Sequence, residues 1–229
     1  PDDEGIFISP DKKLGLGFRR LAIIDLSPAG HQPMENGPQC EQKHGRITAM
    51  FNGEIYNFQE LRQELERRGH RFRSKSDTEV ILHSYEENGT DAVHKWNGMF
   101  AAALWDEQKR RLWLVRDRLG IKPLYYTVQN GAIIFGSEIK ALLAHPLVKK
   151  KLNEEALFHY LTFSCCPAPM TLFEGIKKLP AGYFLTVDEN GVKETQYWDA
   201  IPRQTSHVAR QMSEDFFAEN IRGILKDSV

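Results

Sequence analysis

The stretch Phe51-Asn52-Gly53-Glu54-Ile55-Tyr56-Asn57 decides how the rest of the chain is interpreted. Apolar, β-prone residues precede it over 47–51 and helical spacing follows from Phe58, so the pattern predicts a strand that ends in a polar turn. Asn52 offers an amide donor, and Gly53, which lacks Cβ, lets a backbone N–H approach a ligand closely. The pair could therefore hold a developing oxyanion. Asn-Gly is also a common tight-turn dipeptide, and from these two residues alone the ordinary turn is the favoured interpretation.

Composition indicates a globular protein and excludes several classes of partner. The chain has 229 residues, of which 41% are hydrophobic, enough for a substantial core. Thirty basic residues against 31 acidic ones leave a formal charge of -1, so charge gives no reason to expect nucleic acid or an anionic membrane as a partner. No apolar run approaches the ~20 residues that span a bilayer, and the first residues lack the features of a signal peptide. We therefore expect a cytoplasmic protein.

Cysteine and histidine usage predicts neither a disulfide framework nor a metal site. Three cysteines, Cys40, Cys165 and Cys166, are too few for such a framework and lack the Cys/His spacing of zinc sites, so reduced thiols are expected. The eight histidines are scattered and show no helical i, i+4 pairing. No metal ligand is predicted from the sequence.

Turn signals and hydrophobic periodicity predict a mixture of hairpins and helices. The predicted strands cover 14–24, 47–51, 99–105, 111–115, 124–128, 132–135, 183–187 and 192–197. Predicted helices begin at Asn57, which would form a capping box with Glu60, and at the caps Ser76, Ser137, Asn153 and Ser213. The helix after Asn153 is predicted to carry an apolar face that includes Ala156, Leu157, Tyr160 and Leu161.

Charged residues allow two interpretations in two of these segments and mark a turn in a third. Arg20 lies inside an apolar extended run, where an arginine either faces water at an edge or binds an anion such as a carboxylate, and both remain open. Asp77 lies at a helix N-terminus, where complementing the helix dipole is slightly favoured over receiving a substrate ammonium group. The segment from Arg116 to Pro123 contains an Arg-Asp pair and is typical of a connecting turn.

Taken together and in order, the motifs at 18–25, 51–57, 76–79, 98–100, 116–126 and 137–142 resemble glutamine-hydrolysing asparagine synthetases. The resemblance implies a class II glutamine amidotransferase domain of α+β class, an N-terminal-nucleophile α-β-β-α sandwich with two antiparallel sheets between helical layers. It implies that residues 1–200 form this domain and that 201–212 form a linker. Residues 213–229 would then be the first helix of a synthetase domain of the ATP-pyrophosphatase type.

The resemblance also implies residue roles. Arg20 would bind the α-carboxylate of glutamine and Asp77 its α-ammonium group, which suits a guanidinium fork and a helix-terminal carboxylate. Asn52 and Gly53 would form the oxyanion hole, and Glu54 would lie beside them in the glutamine pocket. The Arg-Asp-x-x-Gly-x-x-Pro-Leu pattern at 116–124 is shared by class II amidotransferases and receives no bond-breaking role.

The family's nucleophile is a cysteine at the mature amino terminus whose own α-amine acts as base, followed after some tens of residues by His-Arg-Gly-Pro-Asp. This sequence begins at the Pro-Asp, so we expect a fragment without the cysteine, its strand and the ATP site. No cofactor is expected for the fragment itself, whereas the full-length enzyme would use ATP and Mg²⁺. Expected partners are glutamine, the chain's own synthetase domain and a second subunit in a homodimer.

The expected function is the glutaminase part of an ATP-dependent asparagine synthetase, which supplies ammonia for the conversion of aspartate to asparagine. One alternative is a similar amidotransferase that amidates another carboxylate. Another is a non-catalytic domain that keeps the pocket and binds an amino acid or a partner protein.

Overall fold

The computed structural model describes residues 2–38, 44–201 and 213–228. Its strands are, in chain order, β1 Asp3–Ile8, β2 Gly15–Arg20, β3 Met34–Glu35, β4 Ile47–Ile55, β5 Gly98–Asp106, β6 Arg111–Arg116, β7 Tyr125–Gln129, β8 Ala132–Gly136, β9 Lys177–Lys178, β10 Tyr183–Asp188 and β11 Gly191–Gln196. Its α-helices are α1 Phe58–Arg67, α2 Asp77–Asn88, α3 Ile139–Leu143, α4 Glu154–Phe163 and α5 Glu214–Asp227. Two 3-10 segments, Pro28–Gly30 and Gly89–Lys95, complete the described elements.

The strands form a six-stranded sheet in the order β11-β10-β6-β5-β4-β3, a three-stranded sheet in the order β8-β7-β9, and the β1-β2 hairpin. Successive side chains of a strand point to opposite faces. Ala102 and Leu104 of β5 accordingly join one hydrophobic cluster, whereas Ala101 and Ala103 join another. The central strands of the larger sheet are therefore covered on both faces.

Four layers result from this packing. On one face of the six-stranded sheet, Phe51 and Trp113 pack with Val80 and Ile81 of α2, and α1 belongs to the same cluster. The opposite face packs against the β7-β8 hairpin, and α3 covers the outer side of that hairpin through the buried Leu142. The order helix, sheet, sheet, helix confirms the predicted α+β sandwich.

The predicted hairpins are confirmed as the pairs β5-β6, β7-β8 and β10-β11. The predicted strand over 14–24 is shorter, because β2 ends at Arg20. The first strand, β1, is absent from the predicted set because its sequence, DEGIFI, is half polar and it pairs with β2 alone. A two-stranded ribbon at the surface needs little apolar sequence, so it gives a weak pattern.

The Asn52-Gly53-Glu54 stretch lies inside β4, and the turn interpretation is wrong. β4 continues to Ile55, and all three residues pair with β5. The neighbouring strand is also nine residues long, so it provides partners beyond the apolar 47–51 segment. Pairing with this long strand overrides the local preference of Asn-Gly for a tight turn.

Helix caps are confirmed at Ser76, Asn153 and Ser213, whose side chains accept backbone N–H groups at the helix starts. The capping box at Asn57 does not form. Its side chain instead donates to the Lys95 carbonyl and accepts from the backbone N–H of Asn97, both at 3.0 Å. These two bonds join the start of α1 to the segment that precedes β5.

Two further helix predictions differ from the structure. Ser137 does not cap α3, which begins at Ile139 after Glu138. In α4 only Ala156 is buried, whereas Tyr160 and Leu161 of the predicted apolar face are exposed. The predicted apolar face of α4 is therefore buried only at Ala156.

Residues 1–198 and 199–229 form two separate compact units. In the second unit the structure describes α5 and its cap. Cys40 and most of the predicted linker, residues 202–212, lie outside the described residues, and the predicted domain boundaries stay a prediction. Among the described helices, none combines the length and apolarity needed to cross a membrane.

Candidate functional site

The predicted site residues line one open cavity of about 490 Å³ in the first unit. Arg20 comes from the end of β2, Asn52, Gly53 and Glu54 come from β4, and Asp77 is the first residue of α2. A fourth wall is formed by Lys122 together with four residues around the start of α3, namely Ser137, Glu138, Lys140 and Ala141. The structure thus brings together all the residues that the sequence motifs singled out for glutamine.

Arg20 is buried, at 7% exposure, so it does not face water at a sheet edge. Its guanidinium donates to the main-chain carbonyls of Asp25 and Ser27. Gly30 leaves room for this side chain, because a Cβ there would overlap the guanidinium. Two carbonyls account for two of the five N–H groups of an arginine, which leaves donors for an anion in the cavity.

Asp25 fixes the loop that holds Arg20. One carboxylate oxygen accepts the backbone N–H and the hydroxyl of Ser27, at 2.9 and 2.6 Å, and the other accepts the backbone N–H of Lys75 at 2.8 Å. Lys75 lies just before α2. The arginine loop and the start of α2 are therefore connected through one buried carboxylate.

Asp77 connects α2 to the end of β4. The Ser76 hydroxyl caps the helix by accepting the Thr78 N–H, and Asp77 Oδ2 accepts the Ile55 N–H at 3.0 Å. Burial raises the pKa of the Asp77 carboxyl above its usual range, and the nearby Glu54 charge adds to this shift. A cation bound in the cavity would favour the ionised form, so the carboxylate is suited to receive an ammonium group.

Asn52 is held across the cavity by Ser137. Its Nδ2 donates to the Ser137 hydroxyl at 3.3 Å, which uses one of the two amide protons and leaves the other for a ligand. Ser137 is 85 residues away in the sequence, and no local pattern predicts this contact. The bond fixes which way the Asn52 carboxamide points.

The Gly53 N–H points into the cavity, because the N–H groups of successive strand residues point to opposite sides. The N–H groups of Phe51 and Ile55 leave the β4-β5 ladder and bond to Gln32 Oε1 and Asp77 Oδ2, at 2.7 and 3.0 Å. Alternate residues of a strand direct their N–H groups to the same side, so Gly53, which lies between them, directs its N–H to that side as well. Gly53 thus presents a backbone donor beside the Asn52 amide.

Gly53 is also required by packing. Its φ is +151°, and a Cβ there would overlap the Met99 carbonyl oxygen and lie 2.7 Å from the Phe100 Cα. Both obstacles are backbone atoms of β5, which cannot rotate away as a side chain can. A glycine therefore lets β4 lie close to β5 beside Asn52, at the candidate oxyanion donors.

Gln32 stabilises the same region, although no sequence motif pointed to it. Its side chain accepts the Phe51 N–H at 2.7 Å and donates to the Thr78 hydroxyl at 3.1 Å. The residue is buried. It therefore bridges β4 and the first turn of α2. These two elements carry the candidate oxyanion donors and the Asp77 carboxylate.

Arg116 and Asp117 bind main-chain groups of the connecting turn and do not form an ion pair with each other. The fully buried Asp117 accepts four backbone N–H groups, at distances of 2.9–3.1 Å, from Phe100, Leu119, Ile121 and Lys122. Arg116 donates to three carbonyls, at 2.5–2.7 Å, of Gly120, Lys122 and Leu179. Both side chains fix the connecting turn, which carries the cavity residue Lys122.

Among the described residues no cysteine lines the cavity. Cys165 is exposed just beyond α4, and the neighbouring Cys166 contacts the Ala156 carbonyl with its Sγ at 3.7 Å. Neither thiol is therefore placed to attack a ligand held by Arg20 and Asp77.

Comparisons with known proteins agree with this geometry. Residues 1–198 match the sequence family described as a glutamine amidotransferase domain. The chain is 39% identical over 230 residues to glutamine-hydrolyzing asparagine synthetase 3 of Bacillus subtilis and 40% identical over 239 residues to asparagine synthetase 2 of that organism. It is 35% identical over 235 residues to amidase chry2 of Gibberella zeae. All of this chain is covered in each case, but only 36%, 30% and 32% of the relatives.

A solved structure shares the fold. Glutamine phosphoribosylpyrophosphate amidotransferase from Bacillus subtilis, complexed with ADP and GMP, superposes with a TM-score of 0.58 at 20% identity, covering 83% of this chain and 36% of that chain. At this identity the likeness concerns the arrangement of sheets and helices alone. With a family match over nearly its whole length, the chain belongs to the glutamine amidotransferase domain family.

Proposed function

We propose that this chain is the glutaminase part of a glutamine-dependent asparagine synthetase. The observation that supports the proposal most directly is the convergence of two donors, Asn52 Nδ2 and the Gly53 N–H, with the opposite charges of Arg20 and Asp77 around one cavity. An amino acid with a side-chain amide needs all of these groups. The chain spans about a third of the length of the asparagine synthetases it matches, so the activity of the whole protein belongs to this proposal.

The two charged residues would hold the amino-acid end of glutamine. The free N–H groups of Arg20 match the two oxygens of the α-carboxylate. Asp77 would pair with the α-ammonium group, which would lower the carboxyl pKa that burial raises. With the amino-acid end fixed, the side-chain amide extends along the cavity toward Asn52 and Gly53.

The chemistry would be acyl transfer to a thiolate. Attack on the amide carbon moves an electron pair onto the carbonyl oxygen, and Asn52 Nδ2 and the Gly53 N–H would donate to that oxygen. Collapse of the intermediate breaks the C–N bond, and the leaving nitrogen takes a proton and departs as ammonia. Water then hydrolyses the thioester to glutamate and regenerates the thiol. We assign the thiolate to the amino-terminal cysteine that the resemblance implies, with its α-amine as base.

The remaining expectations belong to the same proposal. Ammonia would be consumed in an ATP- and Mg²⁺-dependent amidation of aspartate by a synthetase domain, in a cytoplasmic and homodimeric enzyme. The printed sequence contains no glycine-rich phosphate loop. No residue of this chain is therefore assigned to ATP or Mg²⁺.

Steady-state kinetics of the protein expressed from its complete reading frame test the assignment. Asn52→Ala should lower kcat for glutamine hydrolysis by about 10²–10³-fold, because it removes one oxyanion donor. Arg20→Lys keeps the charge but loses the fork, and Asp77→Asn keeps an acceptor for the Ile55 N–H but loses the charge. Both should mainly raise KM.

The matched control is Arg67→Ala, which removes an exposed arginine of α1 that contacts only the Gln63 carbonyl in the described structure. Circular dichroism verifies that every variant is folded. The residue roles are wrong if Asn52→Ala changes KM alone, or if Arg20→Lys and Asp77→Asn leave KM at the wild-type value.

One relative, amidase chry2, has a name other than asparagine synthetase. We therefore keep a second candidate, an amidotransferase with a different carboxylate acceptor. The two candidates share the glutamine site and differ in the product. Glutamine-dependent formation of asparagine from aspartate and ATP supports the first. Glutamine hydrolysis without asparagine formation supports the second.

A further inference from the structure

A buried cluster of two imidazoles and one carboxylate lies in the helical layer, and none of its residues lines the glutamine cavity. His83 and Glu86 are one turn apart on α2, and His70 follows α1. The Nδ1 atoms of His70 and His83 are 3.2 Å apart. Glu86 Oε2 lies 2.7 Å from His83 Nδ1 and 3.2 Å from His70 Nδ1. The three side chains are 6%, 2% and 0% exposed for His70, His83 and Glu86.

These distances suit a shared metal ion. Zn²⁺ binds imidazole nitrogen and carboxylate oxygen at about 2.0–2.2 Å, and tetrahedral geometry then separates neighbouring ligand atoms by about 3.3 Å. Two of the three separations are 3.2 Å, and the third is 2.7 Å. One ion could therefore contact all three atoms with small adjustments.

Each member of the cluster is held on its outer side. His70 Nε2 lies 2.8 Å from Glu87 Oε1, and His83 Nε2 faces Glu79 Oε1 at 3.8 Å. The close carboxylate at His70 Nε2 keeps the proton there, so the Nδ1 lone pair of His70 points inward. The Glu79 oxygen is beyond hydrogen-bond distance of His83 Nε2 and provides only a nearby negative charge. Glu86 is oriented in the same way, because its Oε1 accepts from Asn36 Nδ2 at 2.8 Å.

If His83 also carries its proton on Nε2, three lone-pair atoms converge at the centre of the cluster. Across the described parts of the chain, Glu86 is contacted by an amide and two imidazoles and forms no ion pair with lysine or arginine. A fully buried carboxylate needs a cationic partner, which is either a protonated imidazole of the cluster or a metal ion. A metal ion would occupy the centre of the cluster, between the three side chains.

We propose that His70, His83 and Glu86 bind a divalent transition-metal ion, with Zn²⁺ as the preferred occupant. Imidazole ligands favour zinc and its neighbours over Mg²⁺ and Ca²⁺, which prefer all-oxygen shells. The ion joins α2 to the segment after α1. His83 is six residues after Asp77, about 9 Å along the helix, so the ion stabilises the helix that presents Asp77 to the cavity.

Metal analysis of the untagged protein tests the proposal. After removal of metal with a chelator, calorimetric titration with zinc chloride should show one equivalent bound per chain, confirmed by elemental analysis after dialysis. His70→Gln and Glu86→Gln should weaken binding by at least 100-fold. Glu87→Gln, which removes an outer partner, should weaken it by about 10–100-fold. His94→Gln removes an exposed histidine outside the cluster and should bind zinc like the wild type.

X-ray absorption spectroscopy at the zinc K edge of the wild-type protein keeps the test decisive if the ligand variants fail to fold. Wild-type protein should show two imidazoles and one carboxylate at about 2.0–2.2 Å, whereas sulfur at about 2.3 Å would place the ion on cysteine and overturn the assignment. Failure of the folded wild type to bind one equivalent would also overturn it. The cluster would then be a proton-holding hydrogen-bond network. Neither outcome bears on glutamine hydrolysis, so the two proposals fail separately.

Discussion

Gly53→Ala should destabilise the domain far more than an ordinary glycine substitution. The backbone at this position has φ +151°, and the added Cβ meets the Met99 carbonyl and the Phe100 Cα of the neighbouring strand. The unfavourable dihedral costs about 1–2 kcal/mol, and forcing a methyl group into packed backbone costs about 1–3 kcal/mol. The free energy of unfolding should therefore fall by about 2–5 kcal/mol, which lowers Tm by about 4–20 °C for a protein of this size.

The control is Gly131→Ala in the β7-β8 turn. Its φ is +80°, and no atom lies within 4 Å of the added Cβ, so only the dihedral term of about 1–2 kcal/mol applies. Guanidinium denaturation followed by circular dichroism gives both free energies, and the m value shows whether unfolding stays two-state. Equal losses for the two variants would refute the close approach of β4 and β5 as a constraint on Gly53.

Three further substitutions probe the surroundings of the cavity. Asp117→Asn replaces one acceptor oxygen by a donor and should cost about 3–6 kcal/mol, since two of its backbone bonds to a charged group are lost. Asp188→Asn affects a single backbone N–H and a partly exposed ion pair with Arg111, and exposed ion pairs contribute little to stability, so it should cost less than half as much in the same denaturation assay. Because burial and then the Glu54 charge raise the pKa of Asp77, its ionisation destabilises the fold as pH rises above 3.8. Asp77→Asn should therefore be at least as stable as wild type at pH 7 with a smaller difference near pH 4, and a loss of over ~1 kcal/mol at pH 7 contradicts this reasoning. Ser137→Ala should lower kcat less than Asn52→Ala with KM unchanged, because it frees the Asn52 amide to rotate without removing it, and an unchanged kcat would show that the bond does not matter.

The sequence was informative where chemistry and local pattern coincide. Asn130-Gly131 marks the β7-β8 turn, and the Ser76 cap places Asp77 at the first position of α2, as the structure confirms. Asn52, Gly53, Glu54 and Asp77 fall at or beside ends of predicted elements. Arg20 lies inside the predicted strand 14–24 but at the end of the observed strand β2. These residues share one cavity because those ends meet in the sandwich, a relation that the motifs imply only through the resemblance.

What could not be predicted depends on contacts between distant segments. The bond from Asn52 to Ser137 joins opposite walls of the cavity, and a serine before a helix has a simpler local interpretation as a cap. The predicted turn at Asn52-Gly53 is wrong for a related reason. A local pattern carries no information about the long partner strand β5. His70 and His83 are 13 residues apart, so no helical spacing indicates that their rings touch.

The bonds from Gln32 and Asp77 to the outer side of β4 also affect how this protein resists association. Backbone groups along a sheet border can recruit a strand from another molecule, which leads to aggregation. Here side chains already occupy the Phe51 and Ile55 amides, and the Gly53 amide between them is open to a small ligand. An incoming peptide would have to displace both side chains before a ladder could form. The same two bonds that shape the cavity therefore protect this border of the sheet from intermolecular strand addition.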